Sequence, residues 1–112
     1  MYKHFDEISD PEMKGVDQKV MQMLDNARTM ADIPFYITSG KRSIEKNKEV
    51  GGEEDSSHLK GLAVDLACTN SNNRFRMVYG LFCAGFKRIG IASDHIHADI
   101  DTTKAQEVLF LE

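Results

Sequence analysis

Three of the four histidines and several acids crowd into two short segments. These are Ser57-His58-Leu59-Lys60-Gly61-Leu62-Ala63-Val64-Asp65 and Asp94-His95-Ile96-His97-Ala98-Asp99. Imidazole and carboxylate together suit a divalent metal, and zinc in a catalytic site takes three such ligands while keeping one position open for water. His58, Asp65 and His97 meet that demand. Taken singly, each has an ordinary reading: a loop histidine is usually solvated, and a strand aspartate usually finds hydrogen-bond donors. Asp65 shifts the balance, because it interrupts an otherwise apolar run, where an unpaired carboxylate is costly unless a cation or good donors meet it.

The surrounding elements must bring these segments together. Asp10-Pro11-Glu12 reads as a helix start, with Asp10 as cap and Pro11 at the first helical position. Val16, Val20, Leu24, Ala27 and Ala31 then form one apolar stripe, predicting a helix that ends near residues 30–32 and is closed by Pro34. Residues 35–38 read as a short buried strand running into Ser39-Gly40, so that Lys41-Arg42-Ser43 sits at a strand end. Residues 43–50 suit a short helix, and Gly51-Gly52 with the acids behind them a loop. A second strand is expected over 61–67, buried on both faces except at Asp65. Phe75, Val78, Tyr79 and Phe82 predict the core stripe of a helix over 72–84, stopped by Gly85. Two strands over 86–92 and 95–101 follow, joined at Ser93-Asp94, with a short edge strand over 108–111. The order points to a single α+β domain over 1–112, its helices packed on a small, mainly antiparallel sheet.

Composition narrows the function. At 112 residues and 41% hydrophobic content the chain can supply one core without metal or disulfide staples. A net charge of -4 argues against a nucleic-acid binder, which would concentrate lysine and arginine on one face. No apolar run is long enough to span a bilayer, and the start as given, acidic and mixed, does not read as an export signal. Cys68 and Cys83 lack the spacing of a zinc knuckle or redox motif and read as buried thiols, with one disulfide as the alternative. His4 is expected at the surface.

Several motifs fail on detail. The run from His95 to Asp99 is similar to the HxHxD of metallo-β-lactamase-type sites, but Ile100 stands where another histidine is needed. It is also similar to the HxHxH of histidine-triad hydrolases, but Asp99 stands where a histidine is needed. Ser39-Gly40-Lys41-Arg42 is no P-loop, since Phe35 replaces the first glycine and Arg42 the magnesium-binding hydroxyl.

A resemblance covers most of the chain. Ile37-Thr38-Ser39-Gly40-Lys41-Arg42-Ser43, residues 47–52, Ser57-His58 through Asp65, Gly85-Phe86-Lys87-Arg88-Ile89-Gly90-Ile91 and Ile96-His97-Ala98-Asp99 carry it. In order and spacing these stretches resemble the zinc D-Ala-D-Ala carboxypeptidases, which include vancomycin-resistance dipeptidases and phage L-alanyl-D-glutamate endopeptidases, with the Hedgehog signalling domain a distant relative. The resemblance implies zinc held by His58, Asp65 and His97, with His95 not a ligand of it. It implies Asp94 as general base, three residues before the last ligand, and Arg42 as the cation that steadies the substrate carbonyl or oxyanion. Ser57 is implied to help bind substrate. Asp99, two residues beyond His97 on the same strand face, is expected either to orient that ligand or to pair with a nearby cation.

The function so implied is hydrolysis of peptidoglycan peptides at bonds involving D-amino acids, by a carboxypeptidase or an endolysin-type endopeptidase. The enzyme would reach the wall after lysis, export or release with a virus particle. The alternative is an inactive zinc-containing module that binds wall peptide or a protein partner. Lys41 and His95 depart from the aromatic and apolar residues common at those places in the family, which bears on pocket lining.

Overall fold

The computed structural model describes residues 2–112. Asp10-Pro11 opens only a short 3-10 helix, Pro11–Met13, and the Asp10 side chain does not cap it. Gly15 then takes a φ of 83°, which ends helical growth. The long helix α1 (Gln18–Ala31) starts later than the sequence pattern suggests, because Asp17 is the effective cap: its carboxylate accepts the Lys19 N–H at 2.8 Å. Val20, Leu24, Ala27 and Ala31 are buried along it as the spacing predicts, while Val16 lies ahead of the helix at the rim of the core. Asp25 is also buried, and it accepts the backbone N–H groups of Lys3 and His4, tying down the N-terminal segment. His4 itself is exposed.

After α1 the chain forms β1 (Ile37–Ser39), α2 (Ile44–Glu49), β2 (Ala63–Ala67), α3 (Ser71–Cys83), β3 (Arg88–Ile91), β4 (His95–Asp99) and β5 (Val108–Leu111). Ser43 caps α2 and Asn70 caps α3, each accepting a backbone N–H with its side chain. The strands make one five-stranded sheet in the order β1-β2-β4-β3-β5, antiparallel throughout except that β5 runs parallel to β3. This is a single α+β domain of three helices on a mixed, mostly antiparallel sheet. No helix among the described residues is long and apolar enough to cross a membrane.

The packing face of α3 differs from the predicted one. Phe75 and Phe82 are 76% and 74% exposed, Tyr79 is half exposed, and the buried residues are Met77, Gly80 and Leu81. Gly80 explains the choice: a Cβ there would lie 2.4 Å from the Ala27 carbonyl oxygen and 2.9 Å from Ala31 Cβ. Helices α1 and α3 therefore meet where both carry their smallest residues, and the aromatic stripe is turned outward. Cys83 goes with it, so only Cys68 is a buried thiol, and the two cysteines are unbonded.

The sheet has one apolar side and one polar side. On β4, Ile96 and Ala98 point to the helices and are fully buried in the core, while His95, His97 and Asp99 point the other way. Register then places Ser39, Asp65, His97, Gly90 and Phe110 in one row across all five strands, on the side away from the core.

Candidate active site

Asp65 and His97 are cross-strand partners on β2 and β4, so their side chains meet by register alone. His58 comes from the loop before β2. The Arg42 N–H donates to the His58 carbonyl at 3.0 Å, and the His58 ring nitrogen Nδ1 donates to the Gly40 carbonyl at 2.8 Å. The turn after β1 thus positions both Arg42 and His58. Asp65 Oδ1 then lies 3.3 Å from His58 Nε2 and 3.1 Å from His97 Nδ1, and all three residues are buried.

The donor set decides what fits at that point. A carbonyl oxygen only accepts, so His58 Nδ1 carries the proton there and a neutral ring turns the lone pair of Nε2 toward Asp65. His97 is held likewise: Nε2 is 2.6 Å from Asp99 Oδ2, which leaves Nδ1 facing Asp65. Two nitrogen lone pairs and a carboxylate oxygen therefore converge, an arrangement that only a cation or added protons can reconcile. Tetrahedral zinc with ligand bonds of about 2.0–2.1 Å separates its ligands by about 3.3 Å, close to the spacings found. One nitrogen or oxygen from each of His58, Asp65 and His97 lies within 4.8 Å of the others, and these residues fit a divalent metal.

The electrostatics agree. Burial disfavours a charged ring at His97, yet hydrogen bonds to Asp65 and Asp99 outweigh it and lift the pKa to about 9. Burial also works against ionised Asp65, and hydrogen bonds to His58 and His97 pull its pKa well below the usual carboxylate range. The pocket is built to hold positive charge, and metal competes with protons for the same nitrogens.

Residues 3–99 match the Peptidase M15 family. The chain belongs to that family. It is an M15 metallopeptidase, with His58, Asp65 and His97 as its buried candidate metal site. No curated protein matches it. Its fold is similar to the crystal structure of the Serratia marcescens L-Ala D-Glu endopeptidase ChiX, with a TM-score of 0.69 and 19% identity over 88% of this chain and 90% of that one.

The M15 candidate site lies in a cleft of about 510 Å³ whose walls include Arg42, Ser57, His58, Asp65, His97 and Asp99. Arg42 is mostly buried. Its Nε donates to Ser39 Oγ at 3.2 Å and Nη1 to Asn47 Oδ1 at 3.2 Å, while Nη2 is 3.5 Å from Asp65 Oδ2. Buried Asn47 is itself anchored, donating to the Glu53 carbonyl. Asp99 accepts from His97 and takes Arg88 Nε on its two oxygens at 2.9 and 3.1 Å. Burial raises the cost of its charge, but the bonds from His97 and the Asp101 N–H outweigh this and depress its pKa.

The side chains of Ser57 and Asp94 are each engaged by another residue of the chain. The Ser57 hydroxyl is buried and donates to Asp101 Oδ2 at 2.8 Å, so it is already committed within the protein. The Asp94 carboxylate is 77% exposed, lies outside the cleft wall and is 2.7 Å from Nδ1 of its neighbour His95, whose ring does line the cleft.

Sequence reasoning missed Asp101, Arg88, Phe110 and Glu112. Asp101 is signalled by its place two residues past Asp99. Lys60 reaches it at 3.0 Å and Thr103 Oγ1 donates to it at 2.6 Å. Phe110 lies with its ring centroid 5.8 Å from that of His97 and 5.1 Å from the Arg88 guanidinium carbon. It fits only because Gly90 has no side chain: a Cβ there would lie 2.6 Å from the ring. Glu112 has no local signal at all, because only the parallel pairing of β5 with β3 brings it to the cleft.

Proposed function

We propose that this M15 metallopeptidase uses zinc to hydrolyse peptide bonds involving D-amino acids in peptidoglycan stem peptides. The observation that carries the reading is the convergence of His58 Nε2, Asp65 Oδ1 and His97 Nδ1, each ring fixed by an acceptor on its far nitrogen, at the wall of an open cleft. The wall-peptide substrate is supported by the family motifs and by the fold likeness to an L-Ala D-Glu endopeptidase.

His58, Asp65 and His97 would hold the ion, which when bound acidifies a water molecule and polarises the scissile carbonyl. Arg42, locked by Ser39 and Asn47, keeps a guanidinium on the cleft wall where the developing oxyanion needs a fixed cation. Asp94 serves as the proton acceptor. Its carboxylate is 2.7 Å from Nδ1 of His95, whose ring lines the cleft, and it takes a proton from the water and returns it to the leaving amine. Arg88 and Asp99 keep the His97 ring in the required tautomer.

Mass spectrometry of purified peptidoglycan fragments incubated with zinc-loaded protein tests this. Loss of a terminal D-Ala marks a carboxypeptidase, and a cut between L-Ala and D-Glu an endopeptidase. Intact fragments throughout would overturn the wall-peptide reading.

A further inference from the structure

His95 is arranged like the two histidines of the candidate metal site, yet it is not one of them. Asp94 Oδ1 lies 2.7 Å from its Nδ1, leaving Nε2 toward the cleft, where Glu112 Oε1 lies 2.7 Å away. A carboxylate behind one nitrogen with the other nitrogen presented to a cavity is how metal-binding imidazoles are commonly set. Glu112 is placed by the backbone: its N–H donates to the Ile91 carbonyl at 2.9 Å, extending the β5–β3 ladder by one residue. Its second carboxylate oxygen, Oε2, is 3.6 Å from His97 Nδ1, the nitrogen that faces Asp65. Ligand atoms of Asp65, His95 and Glu112 all lie within 4.8 Å of one another. Asp65 is common to this group and to the buried one.

We propose that Asp65, His95 and Glu112 form a second divalent-cation position beside the first, the two sharing the Asp65 carboxylate. The proposal rests on the reading that His58, Asp65 and His97 hold zinc. A shared carboxylate is a geometry that keeps two ions roughly 3.5–4 Å apart. One imidazole and two carboxylates suit zinc, cobalt or manganese. The second position is the weaker one. Its bridging carboxylate is already shared with a cation, and His95 and Glu112 keep 27% and 32% of their side chains exposed, so water competes for them. Filling it engages the His95 ring and covers the open side of the first position, so excess zinc inhibits the peptidase.

The test is titration of metal-free protein with zinc alone, followed by equilibrium dialysis and metal analysis, with cobalt absorption spectra as a second readout. Wild type is expected to take up about two ions per chain in a tight and a weaker step. His95→Ala and, separately, Glu112→Gln, a substitution near the protein surface, should each leave only the tight step, with its tetrahedral cobalt bands unchanged. His58→Ala should remove the tight step. Saturation of wild type at one ion overturns the second position and leaves the first standing. A second ion that persists in both variants also overturns it, by placing that ion elsewhere. No uptake at all overturns both positions.

Discussion

Ile96 and His97 are adjacent on β4 and point to opposite sides of the sheet. Ile96 is surrounded by apolar neighbours from helices and strands, and what matters there is volume. His97 touches Asp65, Asp99 and the ring of Phe110, and what matters there is which nitrogen faces which atom. Both positions are almost equally hidden from solvent, at 0% and 7% exposure. Burial alone therefore separates nothing. The difference lies in what satisfies each buried group: close packing at Ile96, and at His58, Asp65 and His97 polar contacts between atoms that also suit a cation.

The largest effect should come from substituting these two neighbours in turn. His97→Ala removes a ligand, so metal content should fall and peptide hydrolysis should drop to background, with lowered melting temperature from the lost metal linkage. Ile96→Ala should keep its metal while losing about 2–5 kcal/mol of stability, the usual cost of a large-to-small change in a packed core. Metal analysis alongside thermal melts separates the two. If His97→Ala retains full metal content, or Ile96→Ala loses it, the two faces do not divide the labour as described.

Next in size is Asp94→Asn. The amide keeps the shape and can still meet His95, but it no longer takes a proton, so hydrolysis should fall by roughly two to four orders of magnitude with metal content and melting temperature intact. Equal turnover in wild type and variant would remove Asp94 from the mechanism and leave Glu112 or Asp99 as the cleft carboxylate to examine. Arg42→Lys should follow, at roughly one to three orders of magnitude, because lysine keeps the charge but cannot span Ser39, Asn47 and the cleft with one planar fork. Near-normal turnover would make Arg42 a structural cation. Both substitutions act on the polar side only, and either one lowering metal content would blur the contrast with Ile96.

Much of this was legible in the sequence, and the reasons are local. The stripe through Val20, Leu24, Ala27 and Ala31, the acid set in an apolar strand at Asp65, and the alternation through His95, His97 and Asp99 each report the pleat or pitch of one element. The failures are places where another element decides. Asp17 displaced Asp10 as the helix cap because Gly15 broke the chain between them. Gly80 turned α3 by seeking Ala27 and Ala31, a contact that a count of large apolar residues cannot see. Glu112 reached the cleft only through a parallel strand pairing, and Ser57 was taken up by an aspartate 44 residues away. The three candidate ligands were picked from residue type and family resemblance, and the fold brings them together. The hydrogen bonds that orient the ligands were readable only in part.

The smallest expected effect concerns Asp101, on the polar side but outside the wall of the cleft. Its carboxylate is buried and accepts from Ser57, Lys60 and Thr103. Burial favours the neutral acid, yet bonds from Thr103, Lys60 and Ser57 outweigh that and hold its pKa below the ordinary value of 3.8. A carboxylate whose pKa is lower in the folded chain than in the unfolded one contributes stability above the unfolded value, and that stability is lost as pH falls through it toward the folded value. Denaturant melts at pH 7 and below pH 4 should therefore show wild type losing more stability on acidification than Asp101→Asn. The variant should already be weaker at pH 7, by about 1.5–3 kcal/mol, the range for a hydrogen bond to a buried charge. Since Ser57 precedes the ligand His58, the variant should also lower metal affinity slightly. Parallel pH profiles in wild type and variant would mean that Asp101 is no better held in the folded chain than in the unfolded one, and that the loop carrying His58 is anchored by the Gly40 and Arg42 contacts alone.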